Sequence, residues 1–283
     1  DYAVCRRGGR EYRYGLLERV NLFTKRDKNK NVKPVLILKQ KNGTINVQSM
    51  IKTVNIDSVI SREMLEQKLT IPAGMDLPKV STDGIFIMFH RKSDNYPLMV
   101  NPQKWTSLQS SGEIADGVVI VEGGKVLVVA PTEATSKLNW SSAAVSGGGT
   151  TTTDRVTALN DWEGKANATT QVARPECQGT NYAPGYCAAY SRVNTNGQGL
   201  TAGKWWLPSL GELMMICANM TKINYALSLI SGATPLVEDA YWTSTESSMT
   251  HAWFLSPSYG YVGNLHAKAS TAFRVRAVSA FIA

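Results

Sequence analysis

The chain carries few residues that could combine as a catalytic acid, base and nucleophile. Its three histidines are His90, His251 and His266. His251 follows closely after Glu246 and Ser247, so the groups of a serine hydrolase are present in one short segment. Nothing in that spacing forces the hydroxyl, imidazole and carboxylate into contact. We therefore expect no catalytic residues, and we interpret His251 as a surface residue of a recognition loop.

Metal-binding residues are equally sparse. Between residues 241 and 283, Glu246 is the only carboxylate side chain and Asn264 the only side-chain amide, whereas a calcium site needs several clustered oxygen ligands. No pair of cysteines or histidines has the spacing of a zinc site. Cys177 and Cys187 flank a Pro-Gly pair, and the sequence leaves open whether they form a disulfide or remain thiols. We predict no metal and no cofactor.

The composition of residues 241–281 is typical of a recognition surface. The segment is rich in Ser, Tyr, Gly, Ala and Thr, lacks a helical period, and is interrupted by Pro257, Gly260 and Gly263. Tyrosine supplies flat contact area at a low entropic cost, while Ser and Gly adapt to a partner. The block YWTSTE at 241–246 and the alternating stretch FRVRAVSAF at 273–281 enclose it. We expect both ends to be rigid.

Two elements are predicted to hold this segment. A hairpin of strands 118–121 and 125–129 turns at Glu122-Gly123-Gly124. Its second strand, 126–129, or its partner should lie beside residues 275–281, because an apolar edge would otherwise be exposed. The glycine-rich stretch 146–153 is interpreted as a flexible loop.

The second element is a pair of helices. Ser209 and Glu212 form a capping box at the start of the first helix, and Gly232 ends the second. An apolar stripe with helical spacing runs along both, and we interpret its methionines as core residues. The stripe consists of Leu210, Leu213, Met214, Cys217, Met220, Ile223, Leu227 and Ile230.

Charge divides the chain unevenly. The formal net charge is +8. Residues 1–111 hold 19 basic and 10 acidic residues, and residues 112–283 hold 11 and 12. We therefore predict a domain boundary after Ser111, with a separate core in each domain. The basic run at 25–30 is interpreted as a solvated loop, because no RNA- or DNA-binding motif accompanies it.

The first 111 residues predict a mostly β domain. Strands are expected at 35–38, 45–47, 51–56 and 84–89, with a turn at Asn42-Gly43 and a short helix at 61–69. By analogy with how such domains are carried, its role would be attachment or oligomerisation. No window is apolar enough for a membrane span.

An ordered set of motifs covers residues 112–283. It comprises the hairpin 117–130, Trp140, GKAN at 164–167, WWLPS at 205–209 with Glu212 and Leu213, YWTSTE at 241–246, Ala252-Trp253, RVRAV at 274–278 and Phe281. The set resembles the C-type lectin-like domain of the Lcl/DUF1566 group, and within it the variable proteins diversified by retroelements. Many of those are phage tail or bacterial surface proteins.

The resemblance implies an α+β protein in which a C-type lectin-like domain, 112–283, follows a mostly β N-terminal domain, 1–111. It implies receptor or ligand recognition through a hypervariable segment, 247–273, in a phage tail or on a bacterial cell surface. The partner would be a protein or glycan on a bacterial surface. We expect no nucleic-acid partner and no membrane span. The chain could also form a homo-oligomer. Trp242, Trp253, Arg274 and Arg276 would be framework.

Two alternatives remain open. One is an undiversified surface adhesin or structural lectin-like domain, since such relatives share the same motifs. The more distant one is an enzyme resembling the formylglycine-generating enzymes. Their active-site cysteines have no convincing counterpart here, because Cys217 falls on an apolar helix face.

The resemblance also identifies the side chains expected to contact a target. They are Ser248, Thr250, His251, Phe254, Ser256, Ser258, Tyr259, Tyr261, Leu265, His266, Ala269 and Thr271. Most should face solvent, because a position that accepts many residue types cannot lie in a close-packed core. Phe254, Tyr259, Tyr261 and Leu265 should then form an exposed apolar patch.

Codon usage in the related retroelement proteins adds support for variation. Their varied codons never encode Met, Trp, Lys, Gln or Glu. Every residue from 254 to 273 except Lys268 fits that restriction, and the resembled frame keeps Trp253 and Lys268 fixed.

Overall fold

The computed structural model describes residues 83–281 and, before them, a set of β-strands. The chain divides into two compact units, Asp1–Pro78 and Lys79–Ala283. Helices and antiparallel strands occur together, so the protein belongs to the α+β class. Within residues 83–281 and the earlier strands, no helix has the length and apolar character of a membrane span.

The first unit contains short antiparallel strands. In chain order they are β1 (Tyr2–Arg7), β2 (Arg10–Gly15), β3 (Thr24–Arg26), β4 (Val32–Pro34), β5 (Ile37–Gln40) and β6 (Gly43–Asn46). Four of them form a sheet in the order β2-β1-β5-β6, and β3 pairs with β4. The expected β character of this part is therefore present in its described strands.

The predictions for individual elements of this unit have different outcomes. The predicted turn near Asn42-Gly43 is confirmed, because Gln40 pairs with Gly43 across the hairpin of β5 and β6. Lys25 and Arg26 were expected in a loop but belong to β3. The strand predicted at 51–56 and the helix predicted at 61–69 lie outside the described residues.

The second unit alternates strands and short helices. In chain order its elements are β7 (Gly84–His90), β8 (Pro97–Val100), α1 (Pro102–Ser110), β9 (Ala115–Glu122), β10 (Lys125–Val129), β11 (Leu138–Asn139), α2 (Arg155–Leu159), α3 (Gly164–Gln171), α4 (Ala183–Ala189), β12 (Arg192–Val193), β13 (Gly199–Leu200), β14 (Trp205–Trp206), α5 (Leu210–Ala218), α6 (Met220–Ser228), β15 (Tyr241–Glu246), β16 (His251–Ser256), β17 (Tyr261–Ala267), β18 (Ala272–Phe273) and β19 (Val278–Ser279). Single 3-10 turns lie at Pro175–Cys177 and Pro257–Tyr259.

The main sheet of this unit has six strands in the order β14-β19-β10-β9-β7-β8. β9 and β10 form the predicted hairpin, whose turn residues Gly123 and Gly124 have φ values of 55° and 78°. Such positive values favour glycine in a two-residue turn. β19 lies between β10 and β14, with Val128 opposite Ser279. The predicted pairing of the hairpin with the C-terminal strand is confirmed.

The predicted division after Ser111 differs from the structure. β7 pairs with β9 along its length, with Ile85 opposite Ile120, and Trp105 on α1 is fully buried in the same apolar cluster as Val118. Residues 84–110 therefore belong to the second unit, and the expected separate core for 1–111 is wrong. Charge composition reflects the surface, whereas strand pairing decides which residues share a core.

The six-stranded sheet separates two apolar clusters. Alternate residues of β9 point to opposite sides, so Val118 and Ile120 join one cluster while Val119 and Val121 join the other. The first cluster contains the core faces of α5 and α6. The second contains the fully buried indole of Trp140. Both clusters also include residues of β16, which belongs to a second, smaller sheet.

Helix α5 begins as predicted but turns a different face to the core. The capping box is formed, with Ser209 accepting from the Glu212 amide and Glu212 accepting from the Ser209 amide. Met215 and Ile216 are buried. Met214, expected in the core, is 36% exposed. Leu213 and Met214 are adjacent, so their side chains point about 100° apart around the helix axis, and Leu213 takes the core position.

The smaller sheet has three antiparallel strands in the order β15-β16-β17. Register shifts occur between Trp242 and Glu246 on β15 and between Ala252 and Phe254 on β16. As the middle strand, β16 is covered on both faces: Trp253 joins the first cluster and Phe254 the second. This sheet contains most of the segment predicted to recognise a target.

Candidate recognition surface

The twelve predicted contact residues fall into distinct environments. Five are exposed: Thr250, Ser258, Tyr261, Leu265 and His266. Four are half-buried: Ser248, His251, Ala269 and Thr271. Phe254 and Ser256 are buried, and the side chain of Tyr259 lies outside the described residues. We call the nine exposed and half-buried residues the recognition surface.

The expectation that Phe254 and Ser256 face solvent is wrong. Phe254 is 4% exposed and Ser256 is 8% exposed, because both lie on β16, the strand covered on each side. The Phe254 ring contacts His266 and Phe273, with ring centroids 4.8 Å away in each case, and its centroid is 5.8 Å from that of Tyr261. Phe254 therefore supports the exposed rings from below.

Gly263 makes this aromatic arrangement possible. A Cβ atom on Gly263 would lie 2.6 Å from the Tyr261 ring and 2.7 Å from the Phe254 ring, closer than real Cβ contacts. Both rings therefore lie against bare backbone. Tyr261 remains 48% exposed and Leu265 78% exposed. The edge strand β17 thus presents an aromatic and an aliphatic side chain to solvent above a packed base.

A hydroxyl cluster occupies the turn between β15 and β16. Thr250 Oγ1 lies 2.7 Å from His251 Nδ1, and Ser248 Oγ lies 3.3 Å from the same nitrogen. The Ser247 hydroxyl instead donates to the carbonyl of Asn264 at 3.0 Å. The Ser247, His251 and Glu246 combination considered from sequence is not assembled, because the Glu246 carboxylate points into the interior.

Glu246 and Lys268 form a buried ion pair beneath this turn. Neither side chain is exposed, and Lys268 Nζ also donates to the Val145 carbonyl at 2.8 Å. It lies 4.4 Å from the centroid of the Trp140 ring. Burial lowers the pKa of Lys268, and Glu246 opposes that shift by ion pairing and hydrogen bonding. The pair fixes the base of the recognition surface.

The glycine-rich stretch 146–153 wraps around the Glu246 carboxylate. The amides of Gly147 and Gly149 donate to it at 2.8 and 3.4 Å, and the Thr152 amide donates to the Glu246 carbonyl at 2.9 Å. A Cβ on Gly147 would lie 2.7 Å from Glu246 Oε1. The expected flexible loop is therefore a structured cradle, and its glycines permit close approach to a carboxylate.

Three tryptophans connect the small sheet to neighbouring segments of the chain. Trp242 Nε1 donates to the Leu138 carbonyl at 2.9 Å and Trp253 Nε1 to the Thr152 carbonyl at 2.8 Å. Trp140 Nε1 donates to the Thr243 carbonyl at 2.9 Å. All three indoles are at most 3% exposed. Each indole thus combines apolar burial with a satisfied polar hydrogen.

A buried polar layer borders the glycine-rich cradle beside β15. Asn167 Nδ2 donates to Asp161 Oδ2 at 3.0 Å, and the Thr245 hydroxyl donates to the same oxygen at 2.7 Å. Gln171 Nε2 donates to the Ser244 carbonyl at 2.6 Å. Sequence motifs included Asn167 and the β15 hydroxyls but missed Asp161 and Gln171. The signal available in the sequence was their position: Asp161 follows α2, and Gln171 is the last residue of α3.

The capping box joins the same layer. Glu212 Oε2 accepts from Trp206 Nε1 at 3.1 Å and from the Ser209 amide at 2.9 Å. Burial raises the pKa of Glu212 to about 7, and the hydrogen bonds from Ser209 and Trp206 oppose that shift. A Cβ on Gly164 would lie 2.0 Å from this carboxylate oxygen. Gly164 is required there because no side chain fits.

The two predicted framework arginines meet at Glu133, which sequence reasoning missed. Arg274 Nη1 donates to Glu133 Oε1 at 2.5 Å, and Arg276 lies 3.2 Å from Glu133 Oε2. The Tyr241 hydroxyl donates to the same carboxylate at 3.0 Å. Arg276 also donates to three backbone carbonyls. The alternating RVR segment, which lies between β18 and β19, is thus held by charge pairing as well as by the fully buried Val275.

Charged and metal-binding groups are scarce at the recognition surface. The only Lys, Arg, Asp or Glu in residues 247–273 is Lys268, which is buried. Across residues 83–281 no group of three His, Cys, Asp or Glu side chains could hold a metal ion. The sequence left open whether Cys177 and Cys187 form a disulfide or remain thiols; in the structure both are free, buried thiols. Polar contacts at this surface must therefore come from hydroxyls, imidazoles and backbone.

Comparison with known proteins adds little. No family model matches the sequence, and no curated protein matches it. Among solved structures, the chain is similar to a fimbrial protein from Bacteroides ovatus, with 17% identity and a TM-score of 0.40. The match covers 55% of this chain and 35% of that one, so the chain corresponds to about a third of the fimbrial protein. A likeness at this level assigns neither fold nor function.

Proposed function

We propose that this protein recognises a protein or glycan on a bacterial surface through the recognition surface, on a domain with the C-type lectin-like fold. It would act as a phage tail protein or as a bacterial surface protein. The observation that carries the proposal is a contrast in burial. The recognition surface on β17 and the β15–β16 turn is exposed or half-buried and uncharged, whereas the framework beneath it is buried. A scaffold of this kind can keep its shape while its surface residues change.

Energetics support variation at these positions. Truncating a large buried side chain typically costs about 2–5 kcal/mol, whereas exposed substitutions stay within about half a kcal/mol. Tyr261 and Leu265 are 48% and 78% exposed, and Met249 in the preceding turn is 59% exposed. These three are among the few large apolar side chains exposed in residues 83–281. Large apolar side chains exposed on one edge strand and the turn beside it favour a binding surface.

The proposed fold rests on the motifs and on where they lie. The resembled WWLPS, YWTSTE and RVRAV segments all contribute buried residues to the interior, and the hairpin pairs with the C-terminal strand. Residues in such positions maintain a scaffold rather than contact a target. Tyr241, Trp242 and Arg276 illustrate this, each being at most 2% exposed.

A direct test is binding of the labelled full chain to a panel of bacterial cells, measured by flow cytometry. The triple variant Tyr261→Ser, Leu265→Ser, His266→Ser should lose binding while keeping the wild-type melting temperature. The matched control is Tyr225→Ser on α6, because Tyr225 is 49% exposed against 48% for Tyr261. That control should bind normally.

Further arms of the same assay define the partner. Protease treatment of the cells should abolish binding to a protein target, and periodate treatment should abolish binding to a glycan. Because the surface carries no exposed Lys, Arg, Asp or Glu, binding should change little with ionic strength. Full binding by the triple variant, or equal loss in the Tyr225 control, would refute the proposed surface.

Diversification itself has a separate test in the gene. A variable protein of the resembled type should lie near a reverse transcriptase and a repeat that differs from residues 247–273 only where the repeat has adenine. If the repeat is missing, the protein would still bind through this surface, but as an undiversified adhesin.

A further inference from the structure

A second apolar surface lies outside the recognition surface. It is a groove of about 530 Å³ between the tip of the β9–β10 hairpin, the end of α2 and one face of α5. That volume falls in the usual range for sites that bind small molecules. Its lining residues are Glu122, Gly123, Lys125, Leu159, Trp162, Gly211, Met214, Met215 and Ala218.

The walls of the groove are mainly apolar. The Trp162 ring packs against Gly211, where an added Cβ would lie 3.0 Å from the ring. Met214 is 36% exposed, although it lies on a helix that is otherwise well buried. Val156, one turn before Leu159 on α2, is 66% exposed and extends the apolar surface. Flexible methionines next to an aromatic ring adapt to differently shaped ligands.

The rim supplies one available cation. Lys125 Nζ lies 5.0 Å from the centroid of the Trp162 ring, and no carboxylate within residues 83–281 forms an ion pair with it. The neighbouring Glu122 carboxylate instead accepts from Asn219 Nδ2 at 2.5 Å. The ammonium group is therefore free to pair with an anion while its stem covers the ring.

The geometry points to a binding site for a small amphiphilic monoanion. The ligand has a flat apolar body that lies on Trp162 and Met214 and one carboxylate or sulfonate that pairs with Lys125. At the Lys125 end of the groove the ammonium group favours an anion. Two carboxylates weaken that preference: Glu122, opposite Lys125 across the hairpin, and Asp83, which accepts from the Gly123 amide at 3.4 Å. Glu122 on the rim limits the affinity, so a ligand with several negative charges is disfavoured.

A matched pair of fluorescent probes tests this assignment on the full chain. Anilinonaphthalene sulfonate has the proposed chemistry, and phenylnaphthylamine is the same aromatic body without the sulfonate. Met214→Gln should weaken binding of both probes about tenfold, since it removes the apolar wall. Lys125→Gln should weaken only the anionic probe, about two- to fivefold at low salt, as expected for an exposed charge pair.

Two further variants locate the probes. Glu122→Gln should strengthen binding of the sulfonate probe and leave the neutral one unchanged. Leu265→Gln, on the recognition surface, should affect neither probe. Lys125 and Met214 are exposed, so melting curves should match the wild type and exclude unfolding as the cause. The assignment is overturned if neither probe binds, if Met214→Gln and Lys125→Gln leave both affinities unchanged, or if Leu265→Gln abolishes binding.

Discussion

Removing Lys268 should destabilise the second unit severely while leaving its apolar packing nearly intact. Lys268→Met keeps the length of the side chain and its contact with Trp140, but it leaves the Glu246 carboxylate buried without a cation. Breaking a buried ion pair on one side typically costs about 3–5 kcal/mol. The Gly147 and Gly149 amides still donate to the carboxylate, so we expect the lower half of that range.

The double variant Glu246→Gln, Lys268→Met should be less destabilised than the sum of its two single variants. Replacing both members of a buried pair is often close to neutral, because desolvation of two charges offsets their attraction. The non-additive part should be about 1–3 kcal/mol, as for residues in direct contact. Urea unfolding followed by tryptophan fluorescence measures each free energy.

A matched control tests whether burial is the cause. Lys137 pairs with Asp239 at 2.9 Å, but their side chains are 47% and 31% exposed. Lys137→Met should therefore change the free energy of unfolding by no more than about 1 kcal/mol. If Lys268→Met costs as little as Lys137→Met, or if the single variants are additive, the reasoning from burial is refuted.

Burial also has measurable effects at Glu212, at Gly164 and at the two thiols, Cys177 and Cys187. Glu212 has a pKa of about 7 against an ordinary 4.5, so the folded protein binds a proton that the unfolded chain releases. The free energy of unfolding should therefore fall by roughly 3 kcal/mol as pH rises between these values, and Glu212→Gln should flatten that slope in pH-dependent urea titrations. Gly164→Ala should destabilise by about 3 kcal/mol in urea, because its Cβ would overlap the Glu212 carboxylate; a change below 1 kcal/mol would contradict this. Cys177 and Cys187 should resist a thiol reagent until denaturant is added, because burial raises the pKa of Cys177 to about 12 and that of Cys187 well above its ordinary value; an intact mass showing a bond between them would refute it.

Local signals in the sequence predicted local structure well. The capping box at Ser209 and the glycine turn at Gly123 depend on residues within four positions of each other, and both formed. The pairing of β10 with β19 was also predicted, because two apolar strands in one domain need partners. The pairing of β7 with β9 was missed, because the uncharged apolar sequence of β7 would suit a buried strand in either domain.

The environment of the predicted contact residues was harder to derive. Phe254 was expected at the surface because the resemblance places it in the variable segment, but it lies on β16, a middle strand that is covered on both faces. Register shifts on β15 and β16 also remove the simple alternation that would have revealed the buried side. The glycine stretch at 146–153 could not be recognised as a cradle without knowing where Glu246 lies.

The position of β19 has a consequence for biosynthesis. Ser279 fills the place between Val128 and Trp205 in the main sheet, although it is made long after both. A nascent chain that has emerged only as far as Trp253 therefore exposes the apolar edge of β10 and cannot close its sheet. The second unit should fold late in translation, and a chaperone that covers β10 until then should raise the yield of folded protein.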